Sequence, residues 1–239
     1  MTSAAKGSIG RLGLRPTLIL VHGAWHGSWC WKPLLAPLAQ RALPVRTLDL
    51  PSVHGSRPAA ALSEDAAAVR ALAAATDGPV ILCGHSYGGM VISLAATDCA
   101  RIERLVYLCA FMPDPGQSLN AAGGGRAAPW IQLRPDGTTL PDPVQAPDLF
   151  YGDCDGPTQQ WALSQLRPQP AAAFAEPVPA PAWQLVPSTY ILCTLDRCLP
   201  LERQQHFAAK AGAILQLEAS HSPFLSQPVP LADALASIA

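Results

Sequence analysis

Short, mostly apolar runs recur along this chain, separated by helix-like stretches, and that rhythm is the strongest constraint on its fold. Thr17-Leu18-Ile19-Leu20-Val21, Val45 to Leu50, Pro79 to Cys83, Leu105 to Ala110, Ser188 to Thr194 and Ala213 to Glu218 read as strands. A strand with one wet face alternates apolar and polar residues; the runs at Thr17, Pro79, Leu105 and Ser188 do not, so both faces are expected to be covered there. Trp31 to Ala42, Leu62 to Ala75, Gly89 to Thr97, Leu201 to Ala211 and Pro230 to Ile238 read as helices. Pro33 falls in a first turn, where its missing N–H does no harm, and Ser63 is placed to cap the second helix. Alternating strands and helices, with connections long enough for right-handed crossovers, predict an α/β fold: a mostly parallel sheet flanked by helices.

Residues 111–187 break the rhythm. They hold 14 of the 25 prolines and a Gly123-Gly124-Gly125 run, with no clear period. A structureless loop of 77 residues is unusual in a compact domain, so the segment is expected to be a small cap inserted after the fourth strand. The core is then 1–110 with 188–239. Aromatic residues of the insertion, Phe111, Trp130 and Trp161, together with Trp25 after the first strand, are the expected pocket lining.

Gly84-His85-Ser86-Tyr87-Gly88 matches G-x-S-x-G, a loose pattern made specific by its setting. A strand precedes it and a helix follows, the context of a nucleophile elbow. Ser86 is the expected nucleophile, at a helix N-terminus that favours developing negative charge. A serine hydroxyl needs a base, and on such a fold the order is serine, acid, histidine. His206 falls mid-helix; His221, in a loop after the sixth strand, is the expected base. Asp196 follows the fifth strand and precedes His221 by 25 residues, room for one helix and one strand. It is the expected orienting acid, with Asp114, after the fourth strand, as the alternative. The backbone N–H groups of Ala24 and Tyr87 are the expected oxyanion donors. No metal or other cofactor is expected, since His22 and His26 have no carboxylate near them in sequence.

The net charge is -1 and there is no basic block, which argues against nucleic acid or an anionic membrane surface as partner. Leu18 to Val21 is too short to span a membrane, and Met1 to Pro16 has no signal-type apolar run. The first dozen or so residues are expected to be a loose tail. Seven cysteines, several inside apolar runs, read as buried free thiols in a reducing, cytoplasmic compartment. Oligomeric state has no sequence signal.

His22-Gly23-Ala24-Trp25-His26-Gly27-Ser28-Trp29-Cys30-Trp31 closely resembles a segment of the plant methylesterase and hydroxynitrile lyase group of α/β hydrolases and its bacterial esterase relatives. So do Gly84 to Gly89, Thr194-Leu195-Asp196 and Leu217 to Phe224. The resemblance implies an α/β-hydrolase fold, a Ser86–Asp196–His221 triad, oxyanion amides at Ala24 and Tyr87, and no cofactor. It implies hydrolysis of small carboxylic esters, often of aromatic acids. The lyase branch carries threonine where Gly23 stands and lysine where Ser222 stands, so both positions point to a serine carboxylesterase. A hydroxynitrile lyase, or a small-ligand receptor on a hydrolase fold, is the alternative.

Overall fold

The computed structural model describes residues 15–53, 61–125 and 127–239; the expected N-terminal tail lies outside them. Six strands make one parallel sheet in the order β2-β1-β3-β4-β8-β9: β1 (Thr17–Val21), β2 (Val45–Thr47), β3 (Val80–His85), β4 (Ile102–Leu108), β8 (Ser188–Cys193) and β9 (Ala213–Leu217). Helices α1 (Lys32–Gln40), α2 (Leu62–Ala74), α3 (Gly88–Ala95), α8 (Leu201–Ala208) and α10 (Pro228–Ile238) flank it. Strands β1, β3 and β8 are buried along their whole length, as apolar runs without alternation require. Strand β9 departs from this expectation: it lies at the sheet edge, and Ile214 is exposed.

Two apolar clusters cover the faces of the sheet. One gathers Ile19, Val21, Leu82, Tyr107 and Tyr190 against α2 and α3. The other gathers Leu18, Leu20, Ile81, Cys83 and Val106 against α1 and α10. Four cysteines (30, 83, 109 and 193) are buried and three (99, 154 and 198) half-buried, all as free thiols. Burial pushes the Cys83 thiol up to about 12.

Two local expectations are corrected. The second strand stops at Thr47 instead of Leu50, because the Leu50 N–H leaves the ladder to donate to His22 Nε2 at 3.0 Å. Ser63 does not cap α2. The N-cap is Ala61, without a side-chain bond, and the Ser63 N–H donates to Glu176 Oε2.

Between β4 and β8 lie α4 (Leu119–Ala122), β5 (Ile131–Leu133), β6 (Thr138–Pro141), α5 (Ala146–Tyr151), α6 (Gly156–Gln165), β7 (Gln169–Pro170) and α7 (Ala172–Ala175). Strands β5, β6 and β7 form a separate antiparallel sheet. The short helix α9 (Pro223–Ser226) precedes α10. Phe150, Tyr151 and Phe174 from this stretch belong to the same apolar cluster as Ile19 and Leu82 of the main sheet. No helix among the described residues is long and apolar enough to cross a membrane.

Candidate active site

Ser86 joins β3 to α3 with φ 52°, a left-handed conformation that side-chain-bearing residues rarely adopt. Backbone bonds hold it there. Its N–H donates to Leu108 O at 3.3 Å, and its carbonyl accepts from the Gly89 and Phe111 amides at 3.0 and 3.1 Å. The turn also needs strand and helix in near contact. A Cβ on Gly84 would lie 2.4 Å from the Gly88 carbonyl oxygen, so any side chain there would push α3 off the strand. This is the strand–turn–helix elbow that the pentapeptide and its flanks predict.

His221 lies past the C-terminal end of β9, and its Nδ1 is 2.7 Å from Asp196 Oδ2. A carboxylate only accepts, so Nδ1 carries the proton and Nε2 is the basic nitrogen. Asp196 is itself fixed: Oδ1 accepts the Cys198 and Leu199 amides, each at 2.8 Å, and Gln204 Nε2 reaches Oδ2 at 3.3 Å. Burial pulls the His221 pKa down, but the Asp196 carboxylate, with the Cys198 sulfur adding to it, outweighs burial and holds the ring well above its ordinary value. The alternative acid is elsewhere: Asp114 is half-exposed and paired with Lys210 Nζ at 2.8 Å. His206 is exposed on α8.

His85 braces His221 through the backbone. Its Nε2 donates to the His221 carbonyl at 2.8 Å, and Cys109 Sγ approaches the same oxygen at 3.5 Å. Donor atoms of His85, Cys109 and His221 lie within 4.8 Å of one another, but these contacts read as a brace for the His221 loop. Burial, with His221 adding to it, holds His85 well below its usual pKa, so the ring is neutral. Asp153 grips the neighbouring residue, accepting the Ser220 N–H at 2.9 Å and its hydroxyl proton.

Ser86, His221, Ala24 and Tyr87 all line one cavity of about 170 Å³. Trp25, Phe111, Trp130, Ile131, Phe150 and Phe174 supply most of its apolar wall. Trp25 is the hub: its ring centroid lies 5.8 Å from Trp130, 6.0 Å from Phe150 and 5.5 Å from Phe174. Three of the expected pocket aromatics, Trp25, Phe111 and Trp130, are therefore in place. Trp161 is not. It is 40% exposed and packs edge-on against Trp29 at 5.2 Å, on the outward side of α6. Phe150 and Phe174 are wall residues that sequence reasoning left among the other aromatics of the insertion. Gln204 and His85 were also missed; no local pattern marks a residue that acts by bracing another.

The fold and this site define the class. The family model described as the alpha/beta hydrolase family matches residues 18–234, and the chain belongs to that family. Among its relatives, the α/β hydrolase nvfD of Aspergillus novofumigatus is 29% identical over 90% of this chain and 93% of its own length. Methylesterase 1 of Arabidopsis thaliana is 26% identical, covering 92% of this chain and 95% of that protein. The crystal structure of a pyrethroid hydrolase superposes with a TM-score of 0.80 at 25% identity, covering 94% of this chain and 98% of that one.

Proposed function

We propose that this protein is a serine carboxylesterase acting on small, hydrophobic or aromatic carboxylic esters through an acyl-enzyme. The observation that carries the reading is the opening of Ser86, at φ 52°, and of His221, paired with Asp196 at 2.7 Å, onto one aromatic-walled cavity. Ser86 Oγ attacks the ester carbonyl while His221 Nε2 takes its proton. The Ala24 and Tyr87 N–H groups hold the tetrahedral oxyanion, a contribution of roughly 10²–10³-fold in kcat per donor. His221 then protonates the departing alkoxide, activates water against the acyl-enzyme, and returns the proton to Ser86 as the acid leaves. Residues 111–187 act as the cap that selects acyl and alcohol groups. Relatives named methylesterase and pyrethroid hydrolase support ester chemistry.

Local packing argues against the lyase reading. A Cβ on Gly23 would sit 2.7 Å from His85 Nδ1 and 3.0 Å from Ser86 Cβ, so threonine there requires His85 to move. Ser222 is fully buried, and a lysine in its place would bury an ammonium group.

The test is Ser86→Ala against a chromogenic short-chain ester. Turnover is expected to fall by about four orders of magnitude or more. Wild-type turnover by the variant would end the reading.

A further inference from the structure

We propose that Gln169 and Tyr151, both in the inserted segment, are positioning residues that set the Ala24–Trp25 peptide beside Ser86. The segment that roofs the cavity thereby also orients the oxyanion-binding backbone. The inference rests on the esterase reading above.

The Ala24–Trp25 peptide is gripped at both ends. His26 Nδ1 lies 2.7 Å from its carbonyl oxygen, and its N–H donates to Gln169 Oε1 at 3.0 Å. A carbonyl only accepts, so Nδ1 carries the proton and Nε2 is an acceptor. Tyr151 Oη, on α5, donates to that Nε2 at 2.8 Å. Burial lowers the His26 pKa to about 3, so the ring stays neutral in this tautomer through the working pH range of an esterase. Tyr151 thus fixes the tautomer and orientation of the ring that holds the peptide oxygen.

The Gln169 amide is equally constrained. Its oxygen faces the Trp25 N–H, so its NH₂ faces Ser52 Oγ, at 2.8 Å. Ser52 must then give its own hydroxyl proton to Asp65 Oδ2, at 2.6 Å, and Asp65 Oδ1 accepts the Ser52 N–H at 2.9 Å. Tyr87 Oη donates to the same Oδ2 at 2.7 Å. One buried chain of donors therefore runs from Trp25 through Gln169 and Ser52 to Asp65, and a second donor arrives there from the residue after the nucleophile. Both residues assigned to the oxyanion, Ala24 and Tyr87, are tied to this network directly or through the adjoining peptide.

Strain gives the grip a purpose. Trp25 has φ 60°, a conformation that costs about 1–3 kcal/mol for a side-chain-bearing residue and persists only when its surroundings impose it. The remaining polar anchors of Trp25 also come from the insertion: the Arg167 N–H donates to its carbonyl at 2.9 Å, and its Nε1 donates to Thr139 Oγ1 at 3.1 Å. The two bonds hold the Ala24 carbonyl and the Trp25 N–H, and so fix the α-carbon from which the Ala24 N–H points; without them Ala24 can resettle and carry that N–H with it.

The test compares Gln169→Leu and Tyr151→Phe with wild type on a chromogenic short-chain ester, alongside inhibition by an alkyl trifluoromethyl ketone. That ketone forms a tetrahedral oxyanion adduct on the serine. Gln169→Leu is expected to lower kcat roughly 10–100-fold with KM within about twofold, and to weaken the ketone by a similar factor. Tyr151→Phe keeps the ring packed on Phe150 and His26 and is expected to lower kcat about 3–10-fold in the same pattern. If both variants keep wild-type kcat, or raise KM alone, the proposal is overturned. If Gln169→Leu does not fold, Tyr151→Phe decides by itself. Ser86→Ala separates the two claims: its loss of turnover stands whichever way these variants behave.

Discussion

The floor and the roof of the cavity are built on different principles. The floor carries Ser86, Asp196 and His221, each just past the C-terminal end of a parallel strand, where α/β folds assemble their sites. Their positions follow from sheet order and from backbone bonds, such as the two amides on Asp196 Oδ1. The roof carries Trp130, Phe150 and Phe174, which meet Trp25 through ring contacts and lie in a turn and two short helices with no regular repeat. On the proposed esterase reading, a floor of this kind makes the chemistry general and a roof of this kind makes the choice of ester particular. The difference teaches that substitutions below should change kcat and those above should change which substrate is used, unless a roof residue also reaches down, as Gln169 and Tyr151 do.

Substitutions can break or sharpen that contrast. The largest effect after loss of the nucleophile is expected from Asp196→Asn. Asparagine can still accept the Cys198 and Leu199 amides, but its NH₂ would face His221 Nδ1 and favour the wrong tautomer, lowering kcat about 10³–10⁴-fold. The pH profile sharpens the same point. On the proposed mechanism His221 must be neutral to accept the Ser86 proton, and Asp196, with Cys198 adding to it, holds its pKa well above the usual value. The acid limb of kcat/KM in the wild type is therefore expected above about pH 6.5, with activity lost as pH falls through it. The residual activity of Asp196→Asn should have its limb shifted to lower pH. A limb that stays in place would mean that another group sets it.

A smaller effect is expected in the roof. Trp130 is half-buried, so Trp130→Ala should leave a folded protein with a widened cavity. KM for aromatic esters is expected to rise about tenfold, from roughly 1.5 kcal/mol of lost apolar contact, with little change for acetate esters. Equal loss on both would mean that the roof acts on the chemistry generally. Least of all is expected from Trp161→Ala and Asp114→Asn, within about twofold of wild type, because one packs outside the cavity and the other pairs with Lys210. A large loss in steady-state assays with either would restore the placement that the sequence suggested.

The proposed catalytic constellation was legible because its signals are local. Gly84 to Gly88 lies between a buried strand and a helix, and Asp196 and His221 each follow an apolar run. Asp196 and Asp114 both fall between Ser86 and His221; the room for one helix and one strand between Asp196 and His221 favours Asp196. Residues 111–187 were legible only as an interruption, since proline-rich sequence without a period does not say which aromatic faces inward. Trp130 and Trp161 look alike in sequence, yet one lines the cavity and the other meets Trp29. The Ser63 expectation failed for a related reason: a good capping residue one position into the helix is still not its cap.

The sequence by itself determined the sheet, the elbow and the serine–acid–histidine order, because burial on both faces and a strand–turn–helix step leave direct marks in residue type and spacing. Only the tertiary structure decided what touches what across the chain. Gln169 reaches Trp25 across 144 positions and Tyr151 reaches His26 across 125. No spacing rule links residues so far apart; they meet because the chain folds back over the strand ends, where each buried polar group must find a partner.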